Sequence, residues 1–166
     1  MVESTPVWVM ELVKRWRDLL LLHEWEINIK LAAIPCSDGA GYVRGCVNVY
    51  PDIMRADIQL NEDIAQAEND EERGQWEVTI IHELLHVRMG RLSDFVERDL
   101  LPELSPSASN VASGTLRREL EPLVETLARI LHRFAKPDEV DAMRERIAHL
   151  EKRILEEFDA NRGQQT

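Results

Sequence analysis

The sequence contains few cysteines and no long hydrophobic run, and each absence narrows the class of protein. Its two cysteines, Cys36 and Cys46, do not form a CxxC pair and are too few for a disulfide framework. No apolar run approaches the roughly 18–20 residues of a membrane span. The segment from Met1 to Pro6 also lacks the basic and then apolar layout of a secretory signal. We therefore expect a cytoplasmic protein with no membrane partner.

Basic residues are also scarce in comparison with acidic ones. The 166 residues include 20 Lys plus Arg and 31 Asp plus Glu, which gives a formal net charge of −11 at pH 7. Because an acidic surface repels phosphate backbones, we do not expect nucleic acid as a partner. With 44% hydrophobic residues, a chain of this length can bury one sizeable core, so a single soluble domain is expected.

Hydrophobic spacing in the first part of the chain predicts one helix and a small sheet. Apolar residues after Pro6 recur at spacings of three and four, which predicts an amphipathic helix. The spacing changes to two over residues 25–31 and 55–61, which predicts two short strands, and a third strand is predicted over residues 42–50, after a turn-rich segment. We expect these strands to form a small, mostly antiparallel sheet in an α+β fold.

The middle of the chain predicts a well-defined helix. Asn69 and Glu72 have the spacing of a capping box, so a helix is predicted over residues 70–89, with Gly90 as its C-terminal stop. A separate short helix is predicted over residues 93–100. The sheet is expected to pack on the longer of these two helices.

Two further helices are predicted in the C-terminal part. Residues 102–114 are rich in Ser, Pro, Asn and Gly and are predicted to form a loop. A long helix follows over residues 116–134. A last helix, over 138–158, has apolar residues at spacings near 3.5 and is expected to pack on the rest of the domain or on a second copy of the chain. We therefore divide the chain into a domain of residues 1–136 and a C-terminal helix within 137–166.

The strongest chemical motif is His82-Glu83-Leu84-Leu85-His86, inside the central predicted helix. Two histidines at i and i+4 lie about 6 Å apart on one helical face, so both imidazoles can bind one metal ion. Catalytic Zn²⁺ takes three protein ligands and keeps a position for water. Glu83 lies about 100° around the helix from His82, where it can accept the proton of that water.

A third ligand must come from elsewhere in the chain. The residues after His86 lack both the glycine and the third histidine of HExxHxxGxxH, which disfavours the metzincin class. Gly114-Thr115 resembles the start of the GTxxD motif of aspartate-ligated zincins, but Arg118 occupies the position of the aspartate. Both of these ligand sets are therefore disfavoured.

The remaining candidates are the glutamates near residue 121. Glu121 and Glu125 share a helix face at i and i+4, whereas Glu119 lies about 200° from Glu121. Pro122 lacks an N–H group and is predicted to lie in a first helical turn, which would place Glu121 at the rim of the site. The residues alone leave Glu121 and Glu125 both open as ligands.

With HELLH, the strand before it and the glutamate pair after it, the chain resembles a minimal gluzincin of the kind encoded by bacteriophages and mobile elements. It is similar in plan to the small ImmA/IrrE-type metallopeptidases over roughly residues 5–135. The resemblance implies a zincin-like fold, one Zn²⁺ per chain and hydrolysis of a peptide or protein substrate. It implies that His82, His86 and Glu121 bind the metal, that Glu83 is the general base and that Glu125 supports a histidine.

The resemblance also implies how a substrate would bind. The peptide would pair as an extended strand against the sheet edge, which is expected to be the strand over residues 55–61. No residue clearly fills the role of an oxyanion donor. His132, Tyr42 and Arg88 are candidates without a motif behind them.

Two other functions are compatible with HELLH. A DNA-associated protease that trims crosslinked proteins would also use this motif, but it should carry a basic stripe that this acidic chain lacks. A structural or partner-binding zinc protein would use the same histidines without catalysis. A fourth protein ligand would be the signature of that second alternative.

Overall fold

The computed structural model describes residues 5–34 and 42–134, which fold as an α+β structure. The chain divides into two compact units, Met1–His132 and Arg133–Thr166, and the fold described here is that of the first unit. The predicted helix over residues 138–158 lies outside the described residues. The elements, in chain order, are α1 (Val7–Leu19), β1 (Glu26–Leu31), β2 (Gly45–Tyr50), β3 (Arg55–Leu60), α2 (Asp70–Asp94) and α3 (Pro106–Phe134).

The three strands form a mixed sheet in the order β1-β3-β2. Strand β3 pairs in parallel with β1, where Ile29 lies opposite Ile58, and antiparallel with β2, where Val47 lies opposite Ile58. The prediction of a mostly antiparallel sheet was therefore wrong for one of the two pairings. A short turn through Met54, which has a φ of 49°, joins β2 to β3 as a hairpin. The longer connection before β2 lets β1 pair on the far side of β3.

The strand order also changes which strand forms the edge near the helices. Because β3 is hydrogen-bonded on both sides, the prediction that residues 55–61 form the substrate-binding edge was wrong. Strand β2 is the edge that packs on α2. Ala56, Ile58 and Leu60 alternate along β3 and are all buried, as a central strand requires.

Helix α2 begins as predicted but ends later. The Asn69 side chain accepts a hydrogen bond of 2.9 Å from the Glu72 N–H, which confirms the N-cap. The helix passes through Gly90 to Asp94 and continues as a π-helical turn over Phe95–Leu100, so the predicted stop at Gly90 and the separate short helix were wrong.

Gly90 serves helix packing instead of helix termination. A Cβ atom at Gly90 would lie 2.5 Å from Cγ1 of Val49 on β2, closer than packed carbon atoms approach. Only glycine allows α2 and the edge strand to come this close. The contact holds the edge of the sheet against the helix that carries HELLH.

Helix α3 begins much earlier than predicted. Ser105 Oγ accepts a hydrogen bond from the Ala108 N–H at 3.4 Å, and Pro106 is the first helical residue, so the predicted loop over 102–114 was wrong. Pro122 consequently lies inside the helix and not in its first turn. The argument that used Pro122 to place Glu121 near a helix start was also wrong.

The core forms around α2, which packs against α1 and the edge strand. Ile80, Ile81 and Leu84 of α2 are fully buried. Trp16 of α1 is also buried, and its Nε1–H donates a hydrogen bond of 2.6 Å to Glu77. Among the described helices, none combines the length and the hydropathy that a membrane span needs.

Candidate metal centre

Helix α2 presents two histidines on one face, one turn apart. His82 and His86 are both partly buried. Their ring centroids lie 4.8 Å apart, and their Nε2 atoms lie 3.1 Å apart. The two Nε2 atoms therefore face the same position beside the helix.

Helix α3 brings a carboxylate to the same position. Its buried residues Val124 and Ala128 anchor the helix, and Glu121 lies on that same face at spacings of three and seven. The carboxylate oxygens of Glu121 lie 3.4 Å from Nε2 of His86 and 3.5 Å from Nε2 of His82. Residues that are distant in sequence thus converge on one point.

The spacing of these three side chains fits a metal ion. Ligand atoms bound to one tetrahedral Zn²⁺ at 2.0–2.1 Å lie about 3.3 Å from one another. The two Nε2 atoms lie 3.1 Å apart, Glu121 Oε1 lies 3.4 Å from His86 Nε2 and Glu121 Oε2 lies 3.5 Å from His82 Nε2. With one ligand atom taken from each residue, all three atoms lie within 4.8 Å of one another. His82, His86 and Glu121 could therefore hold a metal ion. Glu119 is not part of the group, and its carboxylate accepts a hydrogen bond of 3.1 Å from Arg118.

Glu125, one turn after Glu121, contacts the other side of the first histidine. Glu125 Oε2 lies 3.2 Å from Nδ1 of His82. A hydrogen bond from Nδ1–H to this carboxylate leaves the Nε2 lone pair free to bind a cation. Arg129 donates a hydrogen bond of 2.7 Å to Glu125 Oε1 and so holds the carboxylate in place.

Burial shifts the pKa values of two groups at the site in opposite directions. Burial lowers the pKa of His86, and it outweighs the opposing charge of Glu121. A low pKa keeps the imidazole neutral, and the neutral imidazole is the form that binds metals. Glu83 is only 5% exposed, and burial together with the charge of Glu121 raises its pKa to about 8.

The side chain of Glu83 points from α2 toward the edge strand β2. A Cβ atom at Gly45 would come within 2.7 Å of Glu83 Oε1, so the absence of a side chain at Gly45 makes room for the carboxylate. Within the described residues, the carboxylate of Glu83 makes neither a hydrogen bond nor an ion pair. Sequence reasoning missed Gly45. The available signal was a glycine inside an apolar strand pattern, which often marks a close approach of the backbone.

Two cavities meet at the candidate metal centre. The first cavity, of about 440 Å³, lies between β2 and the second half of α2. The second cavity, of about 620 Å³, lies on the other side, toward the residues that precede β2. Gly45, His82 and Glu83 line both cavities. The candidate metal centre therefore lies in the middle of a cleft that follows the edge strand.

The three candidate oxyanion donors occupy different places. Tyr42 lines the second cavity, but its hydroxyl donates a hydrogen bond of 2.8 Å to Asp63. Desolvation and this hydrogen bond raise the pKa of Tyr42 to about 12. Arg88 is exposed and lines neither cavity. His132 lies away from the cleft, with Nε2 3.6 Å from Glu77.

Comparison with protein-family models, curated proteins and solved structures finds no match to this chain. The class of the protein must therefore be inferred from the site itself. That site combines two histidines and a glutamate at ligand spacing, a buried carboxylate beside them and a cleft along a sheet edge.

Proposed function

We propose that this protein is a zinc-dependent metallopeptidase with a zincin-like fold of the gluzincin type. In this proposal His82, His86 and Glu121 hold one zinc ion, Glu83 is the general base, and Glu125 positions His82. The observation that carries the proposal is the convergence of the three ligand side chains next to a buried carboxylate that lines the cleft.

The composition of the group supports zinc in a catalytic setting. Two imidazole nitrogens and one carboxylate oxygen form a borderline set of ligands that suits zinc better than magnesium or calcium. Structural zinc sites are closed by four protein ligands, whereas catalytic sites use three. Within residues 5–34 and 42–134, the group that could hold a metal consists of three residues.

The positions of the other residues suit peptide hydrolysis. Zinc bound by this triad supplies Lewis acidity toward a water molecule and a peptide carbonyl. Glu83 lies next to the triad, where the charge of a bound zinc ion would offset the burial that raises its pKa; in its ionised form it would accept a proton from the attacking water and return it to the departing amine. Among the described residues, β2 pairs only with β3, so its outer edge offers backbone groups for pairing with an extended peptide. Both the base and the edge thus face the same cleft.

Metal content tests the first part of the proposal. We expect one zinc per chain in the purified protein, and we expect His82→Ala to remove it because two ligands bind far more weakly than three. His23→Ala is the matched control, since His23 is exposed and lies outside both cavities. A wild-type protein that neither contains zinc nor binds added zinc would refute the proposal.

Hydrolysis tests the second part. Glu83→Gln should keep zinc and lose about 10²–10⁴-fold in the cleavage of a peptide library, because an amide cannot accept the proton. The exposed Glu103→Gln is the control and should cleave like the wild type. If the zinc-loaded wild type cleaves no better than Glu83→Gln, zinc has a structural or partner-binding role.

A further inference from the structure

The two cavities that meet at the candidate metal centre differ in the charged residues that line them. The first cavity is lined by four carboxylates and by no lysine or arginine among the described residues; the carboxylates are those of Glu83, Asp94, Glu97 and Glu121. The second cavity is lined by two arginines, Arg44 and Arg129, and by two carboxylates, Glu83 and Glu125. The first cavity is therefore the more acidic of the two, and, in the described part of the chain, arginines line only the second.

One acidic side chain of the first cavity is open to a ligand. Asp94 is tied to Arg98 at 3.3 Å. Glu97 has a side chain that is 51% exposed, and its nearest cationic partner, Arg117, is 4.0 Å away. A substrate cation entering this cavity would therefore meet Glu97 without having to displace a tight ion pair.

One basic side chain of the second cavity is similarly open. Arg129 is tied to Glu125 by a hydrogen bond of 2.7 Å. Arg44 instead donates a hydrogen bond of 2.9 Å to the neutral amide of Gln75, and its guanidinium lies 5.4 Å from the ring centroid of Trp76. These neutral partners position the guanidinium and leave its charge available to an anion.

The edge strand relates these charges to the direction of a bound peptide. The backbone runs from Arg44 in the second cavity through Gly45 at the centre to Pro51 in the first cavity. A peptide that pairs antiparallel with β2 runs the opposite way, and antiparallel pairing is the more stable arrangement. The N-terminal part of such a peptide lies in the first cavity, near Glu97, and its C-terminal part in the second cavity, near Arg44.

We propose, as a refinement that rests on the proposed peptidase function, that the cleft selects peptides by the order of their charges. The preferred peptide is extended, with a basic side chain on the N-terminal side of the scissile bond and a carboxylate on its C-terminal side. Glu97 recognises the basic side chain, and Arg44 recognises the carboxylate. That carboxylate belongs to an acidic side chain or to the end of the peptide.

Peptides of equal composition and opposite charge order test this directly. The probes are blocked, internally quenched peptides in which Lys and Asp flank a short neutral segment, in the order Lys then Asp or Asp then Lys. Exposed charge pairs contribute about threefold each, so we expect the first order to be cleaved about tenfold better in kcat/KM. High salt should reduce this preference. A peptide with Asp replaced by Asn and a free C-terminus distinguishes a terminal carboxylate from a side-chain carboxylate.

Two variants with matched controls assign the recognition to residues. Glu97→Gln should lose about threefold on peptides that contain Lys and nothing on the same peptides with Gln in its place. Arg44→Gln should show the corresponding selective loss for Asp. Glu103→Gln and Arg118→Gln change equally exposed charges outside both cavities and should leave the preference unchanged.

The outcomes separate this inference from the proposed function. Equal cleavage of both charge orders, or a preference for Asp before Lys, overturns the inference but does not contradict the proposed peptidase function. Peptide affinity for the zinc-loaded Glu83→Gln variant, measured by fluorescence anisotropy, gives a second readout. If the expected order of affinities appears but the wild type cleaves none of the peptides, the peptidase proposal fails and the charge selection stands.

Discussion

Replacing Glu83 by glutamine should stabilise the metal-free protein, because burial of this carboxylate opposes its ionisation. Its pKa is raised from 4.5 to about 8 in the fold. Between these two pH values the unfolded chain has released the proton while the folded chain retains it. The free energy of unfolding of the wild type therefore falls as pH rises through this interval, by about 1.4 kcal/mol per pH unit.

The size of the effect follows from that interval. At pH 7 the wild type has lost about 3 kcal/mol relative to its stability at low pH, and at pH 6 about 2 kcal/mol. The glutamine side chain of Glu83→Gln has nearly the same shape as glutamate and does not ionise, so the variant does not undergo this loss of stability. We expect the free energy of unfolding of the variant to exceed that of the wild type by up to these amounts, and the difference should grow from pH 6 to pH 8.

Urea unfolding after removal of metal with a chelator measures this gap. Glu103→Gln removes an exposed carboxylate and should leave the pH dependence unchanged. If Glu83→Gln is no more stable than the wild type at pH 7, the carboxylate is ionised in the metal-free fold and the argument from burial is refuted. A stabilising glutamine would show that Glu83 occupies its position at a cost to stability, as expected for a functional group.

Three further predictions concern the ligands and the helix packing. Glu121→Gln should weaken zinc binding more than about 100-fold and Glu125→Gln about 10–100-fold, measured by competition with a chromophoric chelator, while Glu119→Gln should have no effect. The reverse ranking of the first two variants would exchange their roles. Gly90→Ala should lower the free energy of unfolding by about 1–3 kcal/mol through overpacking against β2. Gly74→Ala, in the same helix with its nearest side-chain contact at an ordinary 3.6 Å, should instead raise it by up to about 1 kcal/mol.

The sequence by itself determined the features that depend on local periodicity. The spacing of four residues between His82 and His86 places both imidazoles on one face of any helix, and the Asn69 cap marks where that helix begins. The same spacing places Glu121 and Glu125 on one face of α3. This pair was correctly expected to share a helix face even though the expected start of the helix was wrong.

Only the tertiary structure decided how these elements meet. Alternating hydrophobicity reveals a strand but not its neighbours, so β3 was mistaken for the edge that β2 forms. Gly45 and Gly90 let the backbone of one element approach another, and a local pattern can mark such a glycine but cannot identify the element that it approaches. The charge difference between the two cavities likewise depends on residues from the segment before β2, from α2 and the turn after it, and from α3. Contacts between distant segments arise from packing, and no short stretch of sequence encodes them.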